Sequence, residues 1–566
     1  MAWYDEAVFY HIYPLGLSGA PKQNGYEAPV HRLKDMEVWI DHIKETGFNA
    51  IYIGPLFESV GHGYETTDYR KLDSRLGDNE DLRGFVKHCH EKGIRVIFDG
   101  VFNHTGRDFF AFQDLKMNRE NSRYKDWFCN VNFWGNNEYN DGFTYENWGG
   151  YNLLVKLNQH NPEVRNYICD VIRFWVSEFD VDGIRLDAAD VLDFEYMKAL
   201  RQVANEVKPE FWLMGEVIHG DYTKWANSTT LHSVTNYQLH KALYSGHNDH
   251  NYFEIAHTVK RLYDMGNLKL YNFSDNHDVE RIYTKLNNKK HFDPVHILVY
   301  TLPGVPSIYY GSEFGIEGKK EKWSDDSLRP QLNFEDYKNA LATNSCTKTI
   351  AKLGKVRQQV KALSYGDYKE LLLTNRQYAF SRNHDGVSVV VTVNNDDSDY
   401  VMTLKAGNAE EYIGALSGQR VHVQNGNIVV NVKANYGDVW VPYTGNDFAD
   451  GQDNVENNEI QEQVFVEQQV VNPETEQNVF VEEYKEQQAI EQPVVESNPE
   501  QQPSPTGIEL AKIAYEKAFE EGKIAGLQMA ILAIMERNGY VTDQMRNDVY
   551  NQTHIESLVN WVKSFR

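Results

Sequence analysis

Val181-Asp182-Gly183-Ile184-Arg185-Leu186-Asp187-Ala188 joins a short apolar run to an arginine and an aspartate two residues apart. Alternate residues of a strand share a face, so Arg185 and Asp187 point the same way. Helix-period stretches flank the run, at 162–179 before it and 194–207 after it. Working outward, β-rich runs recur at 7–13, 50–54, 95–101, 211–217, 268–273 and 305–311, with a weaker one at 233–238 and a further helical stretch at 79–92. Eight strand–helix repeats at this length predict an α/β chain built on a (β/α)8 TIM barrel.

One connection is too long for a simple loop. Residues 105–157 hold 13 aromatics and leave the C-terminal end of the third strand. Loops longer than about 12–15 residues are usually functional, so this is read as an inserted subdomain. The barrel then comprises 1–104 and 158–360. Beyond it, alternating runs at 370–374, 377–382, 387–394, 400–405, 428–432 and 439–442 predict a C-terminal antiparallel β domain, 361–445.

The charge of −26 on 566 residues is uneven. Residues 446–505 hold 15 acidic side chains against the single base Lys485, whereas residues 1–445 carry −11. A Glu/Gln/Asn-rich composition with so little apolar content does not offset ordering entropy, so 446–507 is expected to be a disordered acidic linker. Residues 508–566 regain helical periodicity and a Thr553-x-x-Glu556 capping signature, predicting a small helical bundle. Its apolar stripe reads first as a small core, and second as a surface for a protein partner or self-association. The net acidity excludes nucleic acid as a partner, and an anionic membrane surface with it. No 20-residue apolar span and no signal-type start are visible, and the four cysteines are widely spaced, so a cytoplasmic location is expected.

Four motifs close the predicted strands. Asp99-Gly-Val-Phe-Asn103-His104 ends the third and Arg185-Leu-Asp187 the fourth. Gly215-Glu216-Val217 ends the fifth and Asp275-Asn276-His277-Asp278 the seventh. In a barrel these ends meet on one rim, where active sites form. Paired carboxylates suit glycosidic cleavage, one as nucleophile and one as acid/base. An arginine beside Asp187 favours its ionised form, whereas burial keeps Glu216 protonated. Asp99 is read as an orienting residue.

These segments resemble the signature regions of the alpha-amylase family of glycoside hydrolases, family thirteen, over residues 1–445. The resemblance implies Asp187 as nucleophile, Glu216 as acid/base and Asp278 as the carboxylate that stabilises the transition state. It also places Tyr64, His104, Arg185 and His277 around the sugar at the cleavage point. Asp325 and Arg329 resemble a pair that binds more distant glucose units, with a surface salt bridge as the equal alternative. Val155-Lys156-Leu157-Asn158 and Gly215-Glu216-Val217-Ile218-His219 are similar to the cyclomaltodextrinase, neopullulanase and maltogenic amylase group. Gly61, where oligo-1,6-glucosidases usually have Asp, counts against an isomaltase.

No cofactor is required by this chemistry and no metal ligand is assigned. Calcium is an open but unsupported alternative: residues 17–26 lack an oxygen-ligand pattern, and Asn103, which the resemblance matches to a calcium ligand of other relatives, reads equally as hydrogen-bonding scaffold, the preferred reading. The expected activity is retaining hydrolysis of α-1,4-glucosidic bonds in maltooligosaccharides, cyclodextrins or starch fragments. The alternatives are an α-glucan transglycosylase or phosphorylase, and an inactive sugar-binding scaffold that recruits a partner through its C-terminal helices.

Overall fold

The computed structural model describes residues 2–445 apart from Asn267 and Trp323. The expected acidic linker, the helical module and any partner role of 508–566 lie outside the described residues. No helix among the described residues is long and apolar enough to cross a membrane.

Eight short strands form one parallel sheet: β1 Phe9–Ile12, β2 Ala50–Ile53, β3 Arg95–Gly100, β4 Gly183–Leu186, β5 Trp212–Gly215, β6 Ser233–Val234, β7 Tyr271–Phe273 and β8 Val305–Tyr309. Their order is β6-β5-β4-β3-β2-β1-β8-β7, and a parallel bridge from Thr235 to Tyr271 joins the two ends into a nearly closed barrel. Buried on both faces, such strands read as unbroken apolar runs, which is why the sequence exposes them. Inside the barrel Phe9, Tyr52, Ile97, Trp212, Met214 and Phe273 pack together, with Phe9 stacked on Trp212 at 5.1 Å. Each such side chain contributes roughly 1.5–3 kcal/mol by leaving water.

β6 is far shorter than the run at 233–238. Asn236 caps the helix Tyr237–Asn248 by accepting the Leu239 N–H at 3.1 Å, so the chain turns helical where alternation suggested strand. The loop after β2 holds an unexpected antiparallel hairpin, Phe57–Ser59 with Thr66–Leu72, between whose strands lies Tyr64. After β3 the chain builds a second small sheet, in which His104–Thr105 and Asn147–Trp148 flank Tyr151–Lys156, beside the helix Phe110–Asn118. Phe112, Phe128, Phe143 and Tyr145 form its aromatic core.

Beyond the barrel an antiparallel sheet of six strands and a two-stranded ribbon enclose a separate core around Met402, Tyr412 and Trp440. Two of its strands, Glu411–Gly414 and Arg420–His422, had no counterpart in the alternation pattern. Each is too short to show a period.

Candidate active site

Strand register creates the centre. Asp99 on β3 lies directly opposite Arg185 on β4, and Leu186 opposite Gly215 on β5. Asp187 and Glu216 therefore follow their strands at the same level. Gly54 makes room behind them, because a Cβ there would lie 2.3 Å from that of Asp99.

Arg185 is almost fully buried and touches three carboxylates. Its Nη1 donates to Asp99 at 2.9 and 3.1 Å and to Asp187 Oδ1 at 2.9 Å, while Nη2 pairs with Glu216 Oε2 at 2.8 Å. Asp99 is held from behind by the hydroxyls of Tyr52 and Tyr64, at 2.7 and 3.1 Å. Ala188 adopts a left-handed backbone (φ 46°) and donates its N–H to Glu216 Oε2 at 3.0 Å. Strained conformations of this kind persist where the surroundings over-determine them, commonly at functional sites.

A second group faces the first. Asp278 accepts from Arg329 at 2.8 Å and lies 3.1 Å from His277 Nε2, which itself meets the Tyr64 hydroxyl at 2.5 Å. Tyr64 and His277 are nearly parallel, 5.7 Å apart. His104 Nε2 points towards Asp187 Oδ2 at 4.0 Å and has no hydrogen-bond partner. A buried nitrogen in that position is ready for a ligand hydroxyl.

The structure thus brings Tyr64, His104, Arg185, Asp187, Glu216, His277 and Asp278 together. It also alters the reading of Asp325 and Arg329. Their salt bridge exists at 3.2 Å, but Arg329 is half-buried and binds Asp278 and the His277 carbonyl as well. It is therefore part of the centre and not a surface pair. One residue went unnoticed in the sequence. Tyr237 directs its hydroxyl at Glu216 Oε1 (3.4 Å) and accepts from Asn276 Nδ2 (3.0 Å). No motif marks Tyr237, because its partners are distant in sequence.

Burial pushes both Asp187 and Glu216 upward from ordinary carboxylate values, with Arg185 opposing. One guanidinium cannot neutralise three carboxylates, so burial and mutual repulsion favour one shared proton on this pair over two full charges. Burial works the same way on Asp278, but His277 and Arg329 outweigh it and draw Asp278 down to about 2. Burial also lowers His104 and His277 to about 3, leaving both neutral. Activity that needs the shared proton is lost as pH rises through the pair's raised value. The alkaline limb of kcat/KM is accordingly expected above the ordinary carboxylate range of about 4. A limb at or below that range contradicts the shared proton.

Asn103 accepts from Gln159 at 3.0 Å and lies beside His104 Nδ1 at 3.2 Å. His31, Asp78 and Asp81 form the only group of histidines and carboxylates close enough to hold an ion among the described residues. Asp78 there already caps a helix through the N–H groups of Glu80 and Asp81.

The alpha-amylase catalytic-domain model matches residues 33–354. The chain belongs to the alpha-amylase family. It is 32% identical over 443 residues to a cyclomaltodextrinase of Thermoanaerobacter pseudethanolicus (strain ATCC 33223 / 39E), covering 73% of this chain and 74% of that one. It is 33% identical to an intracellular maltogenic amylase of Bacillus subtilis, covering 50% and 48%. A solved cyclomaltodextrinase structure superposes with a TM-score of 0.69 at 26% identity, covering 78% of each chain. As an alpha-amylase family member, the protein is a glycosidase that hydrolyses α-glucans.

Proposed function

We propose that this glycosidase cleaves α-1,4 bonds of maltooligosaccharides and cyclodextrins with retention, through a covalent glycosyl-enzyme intermediate. The contact of one Arg185 guanidinium with both Asp187 and Glu216 is the observation that favours it. A retaining pair stands about 5–5.5 Å apart, whereas an inverting pair is wider by the room a water needs. A single planar guanidinium bridging both carboxyl groups suits the closer spacing.

In this reading Asp187 attacks the anomeric carbon while Glu216 passes the shared proton to the departing oxygen. Glu216, now ionised, takes a proton from the water that releases the sugar. Asp278, kept ionised by Arg329, faces the positive charge that develops on the ring. His104, His277 and Tyr64 surround the sugar at the cleavage point, and Asp325 meets units beyond it. The names of the similar cyclomaltodextrinase and maltogenic amylase support the substrate class. An intracellular setting is supported by one such name and by four unpaired cysteines.

Proton NMR of the first products from maltoheptaose and β-cyclodextrin tests it, with pullulan alongside. The α-anomer is expected to appear first and mutarotate later. Initial release of the β-anomer refutes retention, and cleavage of pullulan at its α-1,6 bonds alone refutes the bond assignment.

A further inference from the structure

His11 on β1 points into the barrel, buried to 3% exposure, and has no role in the scheme above. Register places it directly opposite Tyr52 on β2 and Tyr309 on β8. Its ring stacks on Tyr52 at 4.2 Å and leans on Tyr309 at 4.8 Å. The ring of His277 meets it edge-on at 5.2 Å and 90°. Two nitrogens in this contact are buried without a hydrogen-bond partner, His11 Nε2 and His277 Nδ1. Leaving one such group unpaired costs about 1–3 kcal/mol, and buried waters typically make two to four bonds to otherwise unsatisfied groups of this kind.

The far side of His277 limits where its proton can be. Tyr64 gives its hydroxyl proton to Asp99 and so offers only lone pairs to His277 Nε2. Asp278, on the same nitrogen, also accepts. Nε2 must then carry the proton, and neutral His277 has a bare Nδ1 that wants a donor.

We propose that His11 is a positioning residue for His277: a water between His11 Nε2–H and His277 Nδ1 holds His277 neutral with its proton on Nε2, facing the sugar. The link is directional, since the water accepts from His11 and donates to His277. A water that donates to Nδ1 stabilises the neutral ring, so protonating Nδ1 must first break that bond. Burial is the largest force against protonation of either ring, the guanidinium groups of Arg185, Arg281 and Arg329 and the Lys320 ammonium oppose it too, and Asp278 favours it at His277. Tyr13, stacked 6.0 Å from His277, completes its surroundings. The inference rests on the proposed contact of His277 with the sugar.

His11→Phe keeps the stacked ring and removes both nitrogens, whereas His11→Gln retains a donor. With maltotriose, His11→Phe is expected to lower kcat by ~10-fold with little change in KM, as loss of alignment does. The acid limb of its kcat profile should move up by about one pH unit, because His277 then protonates more readily. His11→Gln should restore both. An unshifted acid limb in His11→Phe, or equal impairment in His11→Gln, overturns the proposal. Nitrogen-15 spectra of the histidine-labelled parent enzyme, with His277 assigned by its absence in His277→Gln, give a check that needs no His11 variant. The Nε2–H tautomer is expected, and Nδ1–H overturns it. Unchanged turnover in His277→Gln would instead defeat the sugar contact itself, so the two failures are distinguishable.

Discussion

Asp187→Asn is expected to reduce turnover of maltotriose and β-cyclodextrin by ~10⁴-fold or more, about 5.5 kcal/mol of transition-state stabilisation. The amide keeps the shape of the side chain and an oxygen for Arg185 Nη1, which now sits 2.9 Å from Asp187. What disappears is the anionic oxygen that bonds to the anomeric carbon. Folding should be unharmed, because the substitution relieves repulsion among three carboxyl groups crowded round a single guanidinium. The thermal midpoint is therefore expected to stay level or rise. Steady-state rates of the purified variant, beside its melting curve, check both halves. Activity within tenfold of the parent enzyme would remove Asp187 from the nucleophile's role, and a collapsed midpoint would make the activity loss uninformative about chemistry.

Arg185→Met has a different signature, since it should damage stability and catalysis together. Asp99, Asp187 and Glu216 lose their common cation, with Asp99 fully buried and the other two nearly so. Removing one partner of a buried ion pair typically costs about 3–5 kcal/mol. The sign with pH follows from the carboxylates. Without Arg185 the values of Asp187 and Glu216, already raised by burial, rise further, so the unfolded chain binds fewer protons and stability falls as pH rises. The deficit relative to the parent enzyme should shrink on acidification towards pH ~5 and grow towards pH ~8. Melting midpoints of both proteins at the two pH values measure it. An equal deficit at both would mean lost packing and not lost charge. Arg185→Lys should not rescue activity, because one ammonium lacks the planar fork that reaches three carboxyl groups.

Much of the barrel was legible because buried parallel strands are apolar on both faces. The runs that became β2, β3, β4, β5 and β8 stand out against amphipathic helices on either side. The motifs at their ends were legible too, since a strand that stops at a carboxylate, an arginine or a histidine breaks its own pattern. β6 was read too long, as 233–238 for a strand of two residues, and the hairpin carrying Tyr64 was not legible. Strands so short, or so irregularly paired, show no period.

The residues of one strand and its rim were therefore determined by the sequence itself: Arg185 and Asp187 share a face because side chains alternate. The chemistry around them was decided only when the barrel closed. Asp99 was readable as an orienting residue, but its pairing with Arg185 depends on strand register across 86 positions. Arg329 looked like half of a salt bridge until the fold set it against Asp278, 51 positions away. Tyr237 and His11 were silent, because an aromatic or a histidine in an apolar run reads as core. Local periodicity is written in neighbouring residues, whereas the proton balance of a buried site belongs to groups that meet only in three dimensions.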